Sequence, residues 1–264
     1  MSPSLTLVTS PSNPRLKLVR SLGESTGVRK HGLFLMEGPR FVRDYMSRGE
    51  GRPSFVLMSR DCTEAALDAA EEASAADVEI LCLPGALFSE LTDTGHSQGI
   101  LAVCPLPRHG LEELLSADTV LVLDRVSDPG NVGTAIRSAA AFGCAGVVCG
   151  KGTCFPFTPR VTRAAAGLNA LLPVVCGDET AAVLGELAGN GFAVVAADAG
   201  GRVPDAPAGP RGRTVLVVGS EAHGLSGEIL GLADEVVAIP MADGVESLNA
   251  GVSASILLYL LTRG

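Results

Sequence analysis

The chain of 264 residues is long enough for two modest domains or one large one. With 47% hydrophobic and 19% charged residues it carries ample apolar side chain for a core, which excludes a disordered chain. The net charge of −9 argues at first against a polyanionic partner, but the charge is unevenly spread: residues 1–60 hold ten Lys and Arg against four Asp and Glu, and the remainder ten against twenty-five.

The basic excess starts in "NPRLKLVR" and "GVRKHG", read as short polar segments. Arg15, Lys17, Arg20, Arg29 and Lys30 are therefore candidate nucleic-acid contacts, whereas Arg40, Arg43 and Arg48 fit a solvated helix face equally well. Between residues 32 and 104, "GLFLMEG", "SFVLMS", "VEILCLP" and "GILAVC" read as strands. The helices between them are "PRFVRDYMSR", "TEAALDAAEEASAA" and "GALFSELTD", with Pro39 suited to a first helical position. "PLPRHG" then breaks the pattern, so the chain is divided into a small α/β domain over 1–105, a linker over 106–117 and a second domain over 118–264. In the second domain "TVLVLD", "AGVVC", "FAVVAAD", "TVLVVG" and "EVVAIP" are strand candidates separated by helical segments. Their apolar runs are continuous, as strands covered on both faces require, which predicts an α/β fold with a mostly parallel sheet. Residues 199–213, rich in Gly and Pro, are expected to form a mobile loop.

"SILLYLL" is about one third of the length a bilayer demands, and "MSPSLTLVTS" lacks the layout of a secretion signal, so a cytoplasmic protein with no membrane contact is expected. Seven cysteines are scattered singly. Cys144, Cys149 and Cys154 have no close pair and no nearby His, and they read as buried thiols rather than a metal site.

In open parallel sheets ligands gather beyond the carboxyl ends of the strands. Three turns at such ends carry polar residues that core packing does not require. In "DRVSDPGNVGTAIRSAAAFG", Asn131 falls where a helix N-cap is expected, Gly133 allows close backbone approach, and Arg137 stands on a small-residue face. "LVVGSEAHGL" leaves a strand at Gly219 and presents Glu221, a residue that would also serve to cap the next turn. In "AIPMADGVESLNAGVSASILLYL", Ser247 is expected to cap the last helix, with Asn249, a poor helix former, inside its first turn.

Those three stretches, from "NVGTAIRS" on, resemble motifs one, two and three of the SpoU-type (TrmH-like) RNA ribose 2′-O-methyltransferases of the SPOUT superfamily. "VTRAAAGLNALLPV" is similar to the segment between motifs one and two, and "NPRLKLVRSL", "GLFLMEGPRFV" and "SQGILAV" look like the family's N-terminal substrate-binding domain. Nearly the whole chain is covered. A branched residue usually follows the motif-three Asn where this chain has Ala250, a departure expected to alter packing only.

The resemblance implies a C-terminal domain with a deep trefoil knot, a homodimer with active sites at the subunit interface, and S-adenosylmethionine (SAM) as cofactor. It implies methyl transfer to a ribose 2′-hydroxyl in ribosomal or transfer RNA. By motif position, Gly219, Ile239, Met241 and Leu248 would bind the cofactor, and Asn131, Arg137, Glu221, Ser247 and Asn249 would form the polar catalytic site. Proposals for the family make the arginine a general base. A guanidinium holds its proton to a pKa above about 12, so orienting phosphate and stabilising developing negative charge suits Arg137 better. Two other readings compete. A nicotinamide-dependent oxidoreductase fails on glycine spacing, since "GNVGTA" lacks G-x-G-x-x-G and no acidic residue ends the next strand. A non-catalytic RNA-binding module would have no need of the polar set in all three turns.

Overall fold

The structure is a computed structural model, and it describes residues 5–48, 51–92, 95, 97–204, 212–245 and 247–262. Two compact units make up the chain, one of Met1–Leu106 with Phe157–Arg163, the other of Pro107–Pro156 with Ala164–Gly264. The return of residues 157–163 to the first unit was not foreseen from sequence.

In the first unit the elements are β1 (Leu5–Leu7), α1 (Pro14–Ser21), α2 (Ser25–His31), β2 (Leu33–Glu37), α3 (Pro39–Ser47), β3 (Phe55–Ser59), α4 (Glu64–Ala75), β4 (Ile80–Leu83), α5 (Gly85–Ser89) and β5 (Ile100–Pro105). The sheet runs β1-β4-β3-β5-β2, with β5 antiparallel to both of its neighbours and the other pairs parallel. All five residues of β3 are buried, and α4 buries Ala66, Ala69, Ala70 and Ala73. The basic segments are helices, not irregular stretches. Asn13 caps α1 by accepting from the Arg15 N–H at 2.8 Å, Pro14 takes the first helical position, and Leu16 and Val19 anchor the helix in the core. Two buried residues were too few to stand out as an apolar stripe.

The second unit opens with β6 (Thr119–Leu123), α6 (Pro129–Ala141) and β7 (Gly146–Cys149). After α7 (Pro159–Ala164) come β8 (Val174–Cys176), α8 (Thr180–Gly189), β9 (Ala193–Arg202), β10 (Thr214–Val218), α9 (Gly227–Gly231), β11 (Glu235–Val237) and α10 (Ala250–Thr262). Its sheet runs β11-β9-β10-β6-β7-β8 and every neighbouring pair is parallel. Val120, Val122, Val215, Val217, Val194 and Val148 join Leu184, Leu187 and Ile229 in one core. Both sheet faces are covered, which is why these strands read as unbroken apolar runs. Residues 199–202, expected to open a mobile loop, belong instead to β9, which continues to Arg202. Gly201 permits the extension: a Cβ there would lie 2.6 Å from the Val237 nitrogen on β11. The rest of that expectation lies largely outside the described residues. Among the described residues no helix is long and apolar enough to cross a membrane.

Candidate active site

The turns after β6, β10 and β11 all leave the carboxyl edge of the parallel sheet. Both helix starts there differ from the sequence expectation. Asp128, not Asn131, caps α6: its carboxylate accepts from the Asn131 N–H at 2.8 Å, and Pro129 occupies the first helical position. At the last helix the cap is Asn249, whose Oδ1 accepts from the Val252 N–H at 3.1 Å, while Ser247 stands exposed outside the helix. A capping aspartate leaves the Asn131 side chain free for other bonds, although the residue is only 6% exposed.

Those bonds join all three turns. Asn249 Nδ2 donates to Asn131 Oδ1, and Asn131 Nδ2 donates to Glu221 Oε1. The direction is set at the Asn249 end, where a backbone N–H occupies Oδ1 and leaves Nδ2 to donate. Burying an amide without partners would cost about 1–3 kcal/mol, so Asn131 depends on both neighbours.

Beside this relay lies an open cleft of about 210 Å³. Gly219, Ile239, Met241 and Leu248 line it, together with Glu221 and Ser247. Buried Ala250, the residue after the motif-three Asn, also lines it. Asp198, at the end of "FAVVAAD", is a wall residue that the sequence reading missed. The signal was present: it is a carboxylate closing an apolar run at the carboxyl edge. Its Oδ1 accepts from the Gly200 N–H at 2.9 Å. Gly219 is required by close approach, because a Cβ there would stand 2.5 Å from the Gly224 carbonyl oxygen and 2.6 Å from the Leu225 nitrogen.

Arg137 is not brought into the relay or the cleft wall. It is exposed on α6, and its guanidinium pairs with no carboxylate among the described residues. Beside it, α6 packs along α10 through small contacts: Ser138 and Ser255 hydroxyls lie 2.6 Å apart, and a Cβ on Gly251 would meet the Asn131 carbonyl oxygen at 2.9 Å. The Phe142 and Tyr259 rings meet edge to face at 5.7 Å. α10 nonetheless leaves Val252 and Tyr259 on its open face, 42% and 49% exposed.

Among the five basic candidates in the first unit, Arg15 and Arg20 form ion pairs with carboxylates of the same unit. Arg15 pairs with Glu79 at 3.0 Å and lies over the Phe55 ring, and Arg20 pairs with Glu90 at 3.2 Å. Lys17 and Lys30 are exposed and pair with no carboxylate among the described residues, and Arg29 is exposed in the last turn of α2. Cys144 and Cys149 are buried as expected, and burial pushes the Cys144 thiol up to about 12 and the Cys149 thiol higher still, whereas Cys154 is only half-buried.

Residues 118–259 match the model of the SpoU rRNA Methylase family, and residues 13–102 match that of the MRM3-like substrate binding domain. The 23S rRNA (guanosine(2553)-2′-O)-methyltransferase RlmP of Bacillus subtilis is 31% identical over 256 residues, covering 96% of this chain and 98% of that protein. Among solved structures, an AdoMet-bound rRNA methyltransferase from Sinorhizobium meliloti superposes with a TM-score of 0.85 at 26% identity, covering 98% of each chain. The SpoU methyltransferase AviRb from Streptomyces viridochromogenes, in complex with the cofactor AdoMet, gives a TM-score of 0.84 at 27% identity, covering 95% of this chain and 97% of that one.

Proposed function

The chain belongs to the SpoU rRNA methylase family, and we propose that its cleft holds SAM while the three-turn relay receives an RNA ribose. The protein is a SAM-dependent RNA ribose 2′-O-methyltransferase acting on ribosomal or transfer RNA. The observation that carries this reading is the Glu221–Asn131–Asn249 relay beside the cleft, since a mere RNA-binding surface needs neither. The cleft suits the cofactor chemically. Val218, Val237 and Leu257 offer apolar walls for an adenine, and Asp198 offers a carboxylate to hydroxyl or ammonium groups. When bound, SAM would supply the methyl group, its sulfonium departing as the neutral thioether while the ribose hydroxyl proton passes to solvent. The chain's own residues align the ribose oxygen, and Arg137 orients phosphate and stabilises the charge that develops on that oxygen. Gly219, Ile239, Met241 and Leu248 hold the cofactor, and Ser247 contributes its hydroxyl at the rim. Incubated with labelled SAM and total RNA from a strain lacking it, the protein should leave an alkali-resistant linkage at one site. Label on a base would refute the ribose assignment.

A homodimer accounts for two otherwise unexplained features. Val252 and Tyr259 stay 42% and 49% exposed on α10, with Phe142 meeting only an edge contact on Tyr259, and Arg137 stands outside its own cleft wall. A second copy covering α10 buries both side chains and supplies the cleft that Arg137 serves. Tyr259→Glu should therefore convert dimer to monomer by light scattering, abolish turnover and leave the circular dichroism unchanged. An active dimer of this variant would remove α10 from the interface. We further read the last helix as threaded in the family's trefoil knot, the protein as cytoplasmic, and 1–105 and 118–264 as separate RNA-binding and catalytic domains.

The basic helices are read as the RNA-binding face. Exposed ion pairs contribute only about 0–1 kcal/mol, so a phosphate is able to displace Glu79 from Arg15 or Glu90 from Arg20. Replacing Arg15, Lys17, Arg20, Arg29 and Lys30 by Gln should raise the RNA KM and flatten the salt dependence. Each lost phosphate contact removes roughly 0.7–0.9 from the log–log slope. A wild-type slope would make Arg20, Arg29 and Lys30 plain charges at helix carboxyl ends, where cations are favoured in any case, and Arg15 and Lys17 solvated surface.

A further inference from the structure

Among the described residues three non-glycines have left-handed backbones: Asp77, Arg125 and Ala166. Asp77 and Ala166 lie just past the ends of α4 and α7, where such a residue commonly closes a helix. Arg125 closes no helix. At φ +56 it sits two residues past β6 and three before Asp128, the cap of the helix that carries Asn131. Glycine would take this conformation without strain, and strained backbone concentrates at functional sites. The surroundings are shaped around the arginine. Gly152 lies against its stem, where a Cβ would stand 3.0 Å from Arg125 Cγ.

A buried carboxylate holds the guanidinium in one orientation. Asp124 is 4% exposed; its Oδ1 accepts from Thr180 Oγ1 at 2.6 Å, and its Oδ2 accepts from Arg125 Nε and Nη2, both at 3.0 Å. Thr180 is itself buried. The Nε edge of the guanidinium is thus committed inward, Nη1 makes no bond to a described residue, and the side chain stays 48% exposed. A planar fork locked on one edge and open on the other suits a phosphate oxygen pair. Neither Arg125 nor Asp124 lines the cofactor cleft, so the carboxylate of SAM is not the anion served.

We propose that Arg125 is a fixed clamp for a backbone phosphate of the substrate RNA beside the target ribose, with Asp124 and Thr180 as its positioning residues. The inference rests on the methyltransferase reading. Its test uses the full-length protein, ribosomal RNA from a strain lacking it, filter binding across a salt series, and SAM calorimetry. Arg125→Gly permits the backbone conformation and removes the guanidinium. It should weaken RNA binding about tenfold, the scale of one charged hydrogen bond, and lower the salt slope by roughly 0.7–0.9. SAM affinity should not change. Arg125→Lys should recover the slope but not the affinity, because charge survives and the fork does not. Asp124→Asn, which loosens the fork, should raise the RNA KM by less than the glycine variant does and leave kcat unchanged. If Arg125→Gly fails to fold because Asp124 is left unpaired, the double variant Asp124→Asn/Arg125→Gly carries the same test without a buried charge. Wild-type RNA affinity and slope alongside intact SAM binding would reduce Arg125 to a lid on the Asp124 charge. A wild-type protein that binds no SAM would bring down the methyltransferase reading itself, and this inference with it.

Discussion

Arg137→Ala should lower turnover by about 10²–10³-fold, the scale set by removing one preorganised charge stabiliser, while SAM affinity stays at its wild-type value. The two parameters separate because Arg137 is exposed on α6 and contributes nothing to the cleft wall. Stability should hardly move, since exposed substitutions of this kind stay within about 0.5 kcal/mol. Arg137→Lys distinguishes the two roles an arginine has been given in this chemistry. A lysine loses its proton near pH 10.4, so a general-base role would be improved by the exchange at moderately alkaline pH. An electrostatic and orienting role would leave only trace activity, because the ammonium keeps the charge but not the bidentate fork. We expect the second pattern in single-turnover methyl transfer measured across pH. Wild-type turnover in Arg137→Ala would take the residue out of the site.

The sheet of the second unit was legible because its strands are covered on both faces and therefore read as continuous apolar runs. β1 and β8, three residues each, were not read as strands, whereas the equally short β11 stood inside the longer apolar run "EVVAIP". α1 was missed as well: "PRLKLVRS" buries only Leu16 and Val19 among charges, and its helical character is set by Asn13 and Pro14 in front of it. The same kind of local chemistry misassigned the caps. Asp128 and Asn131 are both good caps, and Pro129 at the first helical position decides for the aspartate. Residue types at the site were visible in the three turns, but the relay was not. Asn131 finds Glu221 across 90 positions and Asn249 across 118, and pairings at that separation come from the sheet order rather than from spacing.

Gly219→Ala should weaken cofactor binding while the protein still folds. The added methyl would stand 2.5 Å from the Gly224 carbonyl oxygen and 2.6 Å from the Leu225 nitrogen. Both are backbone atoms, so no rotamer change relieves the clash and the 220–224 turn has to move. That turn is closed on itself, with the Gly224 N–H donating to the Ser220 carbonyl at 2.8 Å, and it carries Glu221. Displacing it opens the cleft wall and pulls the carboxylate away from Asn131. Overpacking of this kind costs about 1–3 kcal/mol, against a total stability of about 5–15 kcal/mol, so the variant should still fold. Spent in rebuilding the cleft, the same 1–3 kcal/mol corresponds to a loss of about 5- to 150-fold in SAM affinity. Gly227→Ala is the matched control, because a Cβ there meets nothing within 4 Å. Calorimetric titration of the two variants should give a weakened SAM isotherm for the first and a wild-type one for the second. If Gly219→Ala bound SAM as tightly as the wild type, the turn after β10 would be free to yield, and the cofactor's grip would have to come from the residues after β11 alone.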